Sequence, residues 1–231
     1  MERVQKLLSN YGYCSRRKGE KLIEEGRVTV NDKKVNIGDQ ATREDIIKVD
    51  GKIVKKENKV YIIFNKPPDC VTAVKDPKYK TVMDYIDIKE RVYPVGRLDY
   101  DASGLLILTN DGEFANKLMH PRYEVKKTYV AKLDKPYTNN VVKKLERGIQ
   151  LRDGKTRPAK VKRISDKVIE VEIHEGKHKI VKRMFKKLGF NVLGLERTKE
   201  GIFHLGDVKQ GKYIYIKNKE KINKIKNLKS A

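Results

Sequence analysis

The apolar run Leu105-Leu106-Ile107-Leu108-Thr109, closed by Asn110-Asp111-Gly112, constrains this chain more than any other stretch. A short continuous apolar run bounded by turn residues predicts a strand buried on both faces. The residues before it, Arg97 to Ser103, are mostly polar and are bracketed by Gly96 and Gly104. A carboxylate, Asp99, and a guanidinium, Arg97, therefore sit on a loop anchored to a rigid strand. They are two positions apart, hence on one side of an extended chain. Loops held by buried strands commonly carry working groups, although the spacing alone equally fits a surface loop of solvated charges. Asp99, Asp101 and Asp111 have the oxygen chemistry of a divalent-cation site. Arg97 competes for those carboxylates, however, and no second acidic cluster accompanies them.

The chain carries 54 Lys and Arg against 31 Asp and Glu, a net charge of +23 over 231 residues. That excess points to a polyanionic partner, with nucleic acid the first expectation. A membrane partner is not expected, because no apolar run approaches the thickness of a bilayer. The charged start, Met1-Glu2-Arg3-Val4-Gln5-Lys6, lacks the core of a signal peptide. With no such signal, Cys14 and Cys70 read as reduced and buried, and the expected location is cytoplasmic. Neither the cysteines nor His120, His174, His178 and His204 fall at zinc-binding spacings, so no metal is expected.

At the N-terminal end, Val4, Leu7, Leu8 and Tyr11 recur at helical spacing. A second helix is predicted from Ser15, a good N-cap, to about Gly26. Its first turn is Arg16-Arg17-Lys18, and basic residues there oppose the helix dipole. A sequence that tolerates this local cost has another use for the charge. Asn31-Asp32 reads as a turn, and Asp50-Gly51, between Ile46–Val49 and Lys52–Val54, as a hairpin. Two short helices with a basic start, then small strands, resemble the RNA-binding domain shared by a small-subunit ribosomal protein and bacterial tyrosyl-tRNA synthetases. The resemblance implies RNA-backbone contacts at Ser15, Arg16, Arg17, Lys18, Arg27 and Asn31. Such contacts position a protein without reading sequence. The alternative for these residues is a solubilising basic face.

Lys55 to Lys59 is a polar linker, followed by the apolar strand Val60–Phe64 and the stop Asn65-Lys66-Pro67-Pro68. Thr81 caps a short helix to about Ile86, and Glu113 to Met119 reads as a helix. Lys127 to Leu133 alternates like a strand, Thr138 to Gly148 reads as a capped helix, and Val168 to His174 as a half-exposed strand. Ile180, Val181, Met184 and Leu188 make an apolar helical face beside Lys179, Lys182, Arg183, Lys186 and Lys187. Asn191 to Arg197 and Lys212 to Ile216 read as late strands, and the residues after Lys217 as a short helix or a frayed basic tail.

Gly96-Arg97-Leu98-Asp99, then Ser103-Gly104-Leu105-Leu106, then Thr109-Asn110-Asp111-Gly112, resembles the active-site motif of bacterial ribosomal-RNA pseudouridine synthases of the RsuA/RluB family. The family's catalytic aspartate falls on Asp99. Lys127-Thr128-Tyr129 resembles its second motif, whose tyrosine stacks on the target uracil; taken alone, Tyr129 reads as a core aromatic of a strand. The block from Glu175 to Phe185 resembles the third motif, departing from it at Lys177 and Ile180, where the family often has Arg and Gln or Glu. The resemblance places on Lys182 the basic residue that pairs with the catalytic aspartate, makes Arg183, Lys177 and Arg97 substrate contacts, and implies that no cofactor is needed. Taken alone, the same block reads as a solvated basic helix face.

The expected fold is α+β, with a small N-terminal RNA-binding domain (1–55), a linker (56–59), a mixed, mainly antiparallel catalytic sheet domain (60–217) and a basic tail (218–231). The expected activity is isomerisation of a specific uridine in ribosomal RNA, in the large (23S) subunit, by a monomeric enzyme. A small-subunit (16S) or tRNA substrate, or a non-catalytic assembly factor, are the alternatives.

Overall fold

A computed structural model describes residues 1–230. The chain divides into two compact units. One comprises Met1–Val60 with Ile88–Val92 and Asn110–Gly112, and the other comprises Tyr61–Asp87, Tyr93–Thr109 and the chain from Glu113 on.

In the first unit, helix Val4–Asn10 buries Val4, Leu7 and Leu8, and helix Arg16–Glu24 buries Leu22 and Ile23. Gly19 lets them cross closely, since a Cβ there would lie 3.2 Å from Cβ of Gln5. The Ser15 hydroxyl accepts from the amide of Lys18 at 3.2 Å, as its N-cap position predicts. The strands Lys33–Lys34, Val28–Val30, Ile47–Val49 and Lys52–Ile53 form an antiparallel sheet in that order. Asp50 (φ 51°) and Gly51 (φ 74°) both adopt positive φ. That is the backbone a two-residue hairpin needs to match strand twist.

The second unit is built on a mixed sheet. Its strand order is Lys160–Arg163, Val168–Ile173, Lys127–Leu133, Val192–Glu200, Ser103–Thr109, Tyr61–Lys66 and Tyr213–Tyr215. Neighbours along this path run antiparallel except Val192–Glu200 against Ser103–Thr109, which pair in parallel through Glu196 with Ser103 and Arg197 with Gly104. The run predicted to be a doubly buried strand is one, with Leu105 to Leu108 fully buried near the middle of the sheet. Leu105 and Ile107 pack on one face with Phe114, Leu118 and Phe203.

The residues after Lys217 form more than an appended tail. Helix Lys219–Lys226, capped by the Asn218 side chain, sends Ile222 and Ile225 into that same core. Thr138 precedes helix Asn139–Arg147 but makes no side-chain capping bond, contrary to expectation. Thr81 does cap Val82–Tyr85, and Asp84 closes the reciprocal box. No helix among the described residues is long and apolar enough to cross a membrane.

Gly104 permits the parallel contact. At φ 104° its missing Cβ would lie 2.4 Å from the carbonyl oxygen of Arg197. Gly104→Ala adds a left-handed-region penalty of about 1–3 kcal/mol to a clash against backbone. We expect urea unfolding to show a loss of at least about 2 kcal/mol; a neutral result would mean that these strands separate easily.

Candidate active site

The Asp99 loop is held by backbone contacts on three sides. Leu98 is buried, and its carbonyl accepts from the Thr72 hydroxyl at 2.8 Å while its amide donates back to that oxygen at 3.2 Å. The amide of Asp69 donates to the Tyr100 carbonyl at 2.9 Å, and the amide of Ala102 to the Asp99 carbonyl at 3.1 Å. Lys66, fully buried, donates through Nζ to the carbonyls of Pro67 (2.9 Å), Tyr100 (3.2 Å) and Ala102 (2.8 Å). Burial pushes the Lys66 amine below its ordinary range, and the carboxylates Asp101, Asp69 and Asp99 oppose that shift. The last residue of one buried strand thus grips the loop that leads into the next.

Asp99 lines a cavity of about 370 Å³, a size suited to a small ligand or a single base. Arg97 and Lys177 line it too, and Tyr129, Arg197, Glu200 and Lys127 form its polar floor. Strand register explains this floor. Lys127 pairs with Glu200 and Thr128 with Lys199, but Tyr129 pairs with Arg197, so Thr198 is an extra residue in the ladder. A bulge cancels one alternation of side-chain direction. Arg197 and Glu200, three apart, therefore face the same cavity as Lys127 and Tyr129, two apart.

The floor is buried and charged. Arg197 and Glu200 are each 1% exposed, with Arg197 Nη2 3.2 Å from Glu200 Oε2 and Nε donating to the Leu105 carbonyl at 2.8 Å. Lys127 Nζ lies 3.7 Å from Glu200 Oε1. Burial works against the Arg197 charge, and Glu200 and the Tyr129 hydroxyl more than offset it, so the guanidinium stays protonated. Burial pushes the Tyr129 hydroxyl up, so it is neutral at physiological pH. Lys127 is pushed down by burial, against the pull of Glu200.

Of the residues singled out from sequence, Asp99, Tyr129, Arg97 and Lys177 meet at one cavity. Lys182 does not bond Asp99. Its Nζ sits 2.5 Å from Oδ1 of Asp101, whose carboxyl it holds below the usual range. Arg183 bonds Asp153 at 2.7 Å. The cause is the anchoring of helix Ile180–Lys187, which buries Ile180, Val181, Met184 and Phe185 and so fixes where its lysines point. The most deeply buried cation of the cleft is Arg197, which in the sequence reads only as the end of an ordinary strand. Arginine is almost never fully buried without a partner, but its burial is not visible in a sequence. In the N-terminal unit, Arg16, Arg17 and Lys18 are exposed. Arg27 is engaged by Asp50 at 2.6 and 2.8 Å, and Asn31 by Asp45 and the Ile46 amide, so both have internal work.

The arrangement offers a clamped carboxylate, an aromatic ring and a fixed cation around one base-sized space. A family model described as RNA pseudouridylate synthase matches residues 60–187. The chain belongs to that family. Residues 2–47 match the S4 domain. Ribosomal large subunit pseudouridine synthase B of Bacillus subtilis (strain 168) is 48% identical over 220 residues, 91% of this chain and 90% of that one. The dual-specificity RNA pseudouridine synthase RluF of Escherichia coli (strain K12) is 34% identical over 200 residues, 85% of this chain and 69% of that one. A crystal structure of a pseudouridylate synthase superposes with a TM-score of 0.72 at 31% identity, covering 97% of this chain and all of the other. The protein is thus an RNA pseudouridine synthase, an isomerase that converts uridine to pseudouridine, with an S4 domain at its N-terminal end.

Proposed function

We propose that this enzyme isomerises a uridine of large-subunit ribosomal RNA without a cofactor, with Asp99 as the reacting carboxylate. The observation that carries the reading is the convergence of Asp99, Tyr129 and Arg197 on one cavity. The isomerisation breaks the bond from C1′ to N1, turns the base and joins C1′ to C5; C5 loses its hydrogen as a proton and N1 takes one up, so the formula is unchanged. Asp99 serves as nucleophile at the sugar or as base toward its neighbouring hydrogen. Arg197 and Lys177 line the same cavity as its carboxylate. Tyr129 is a neutral stacking face for the detached uracil; stacking on such a ring contributes about 1–3 kcal/mol. The target must leave its helix to reach the cavity, at a cost of a few kcal/mol, and the exposed Arg97 at the rim is suited to the space it vacates.

The large-subunit assignment rests on the likeness to the Bacillus subtilis large-subunit synthase. The dual specificity in the name of RluF favours a second reading, in which more than one RNA class is modified. Incubating the enzyme with unmodified 23S rRNA, 16S rRNA and tRNA, and mapping the pseudouridines formed, tests both. Product in 23S rRNA alone supports the first reading; product only in 16S rRNA or tRNA overturns it.

Phosphate contacts by Arg16, Arg17 and Lys18, exposed on one helix turn, predict a salt effect. With about three phosphates neutralised, counterion release weakens binding roughly 20- to 40-fold between about 50 and 200 mM KCl. Replacing all three residues with alanine should flatten that slope in a filter-binding series. An unchanged slope would assign the phosphate contacts elsewhere.

A further inference from the structure

The loop that carries Asp99 continues into an aromatic patch that the chemistry above does not use. Tyr100, the next residue, is 45% exposed, and Tyr79 is 46% exposed. Their ring centroids lie 5.6 Å apart with planes at 63°. Tyrosine rings usually bury most of their area, so a solvent-facing pair is an unspent contact surface.

Its placement is fixed rather than incidental. Asp76 Oδ1 accepts from the amides of both Lys78 and Tyr79 at 2.9 Å, closing the turn that presents Tyr79. The amide of Val71 donates to the Lys80 carbonyl at 2.8 Å, and the Asp69 amide to the Tyr100 carbonyl at 2.9 Å, so one segment holds the main chain beside Tyr79 and at Tyr100. Lys75, Lys78 and Lys80 are exposed on the segment that carries Tyr79; Lys78 Nζ stands 5.2 Å from the Tyr79 centroid, while Lys80 Nζ lies over the Tyr85 ring at 4.2 Å. Aromatic faces interleaved with lysines suit a ligand that is anionic along its length and presents flat π faces. An unpaired stretch of RNA has both properties.

We propose that Tyr79 and Tyr100 form a stacking platform for an unpaired base of the substrate RNA adjacent to the target uridine. Extruding a nucleotide strips its neighbour of a stacking partner. Tyr100 directly follows Asp99 on the same clamped loop, so the patch adjoins the cavity without lining it. The platform therefore offsets part of the extrusion cost and favours targets whose flanking nucleotide is already unpaired. This rests on the RNA substrate reading above, and the two fail differently in the following test.

Two measurements on the 231-residue chain decide it. One is tritium release from a 23S rRNA transcript labelled with [5-³H]uridine. The other is quenching, on binding, of an oligouridylate decamer carrying one central 2-aminopurine ribonucleotide. Tyr79→Ala is expected to raise KM and the decamer Kd roughly 5- to 150-fold, the range for losing one aromatic stack. Its kcat at saturating RNA should hold within about twofold, because a flanking base takes no part in the bond changes. Tyr79→Phe, which keeps the face, should restore both values. If the alanine variant binds and quenches like the parent, or Phe fails to rescue, the platform is overturned. If the parent releases no tritium, the ribosomal-RNA reading falls, and the decamer titrations alone judge the platform.

Discussion

Asp99→Asn should abolish tritium release from labelled rRNA while leaving RNA affinity within about twofold. An amide fills the volume of the carboxylate but is neither a competent nucleophile nor a base, so a loss of about 10⁴-fold or more in kcat is expected. The loop should survive the change. Its shape depends on backbone bonds from Thr72, Asp69 and Lys66, none of which uses the Asp99 side chain. Unchanged melting and unchanged binding beside absent activity would locate the loss in the chemical step. Full activity in Asp99→Asn would remove Asp99 from the mechanism.

The second large effect concerns Arg197. Arg197→Met strands Glu200 in a buried site with Lys127 at 3.7 Å as its remaining cationic contact, and it deprives the Leu105 carbonyl of a bond. Breaking a buried ion pair by removing one partner costs about 3–5 kcal/mol. We expect a drop of that size in unfolding free energy from urea titration. Arg197→Met combined with Glu200→Leu should recover part of the stability, since Glu200 is no longer stranded, while Lys127 loses its carboxylate but keeps its bond to the Val125 carbonyl at 3.3 Å. It should recover no activity, because the cation at the floor is still gone. Arg197→Lys is not an equivalent, because one ammonium cannot meet both the Leu105 carbonyl and Glu200 with the fork of a guanidinium. If the double variant were no more stable than the single one, the pair would not be coupled as described.

These two residues also mark how far a sequence reading carries. The loop that carries Asp99 was legible because it lies beside an apolar strand with turn signals at both ends, but those local cues fitted a solvated surface loop equally well, and only the family resemblance singled out Asp99. The strand Lys127–Leu133 was legible from its alternation, to the residue. The turn at Asp50-Gly51 and the cap at Ser15 were legible for the same reason. Arg197 and Glu200 were not, because the extra residue at Thr198 breaks the alternation by which a reader assigns faces. The partner of Lys182 was not legible either. Whether a helix lysine reaches Asp99 or Asp101 depends on how the helix is packed, and spacing along the chain is silent on that. Lys and Asn around Ile222 and Ile225 disguised a core contact as low-complexity polarity.

The grip of Lys66 on three carbonyls has a consequence for adaptation. A loop pinned by its own main chain is a mould and not a jaw. It has little freedom to follow an imperfect target, so the adjustment in shape falls on the nucleic acid. A target nucleotide that leaves its helix easily would then meet the lowest barrier to modification.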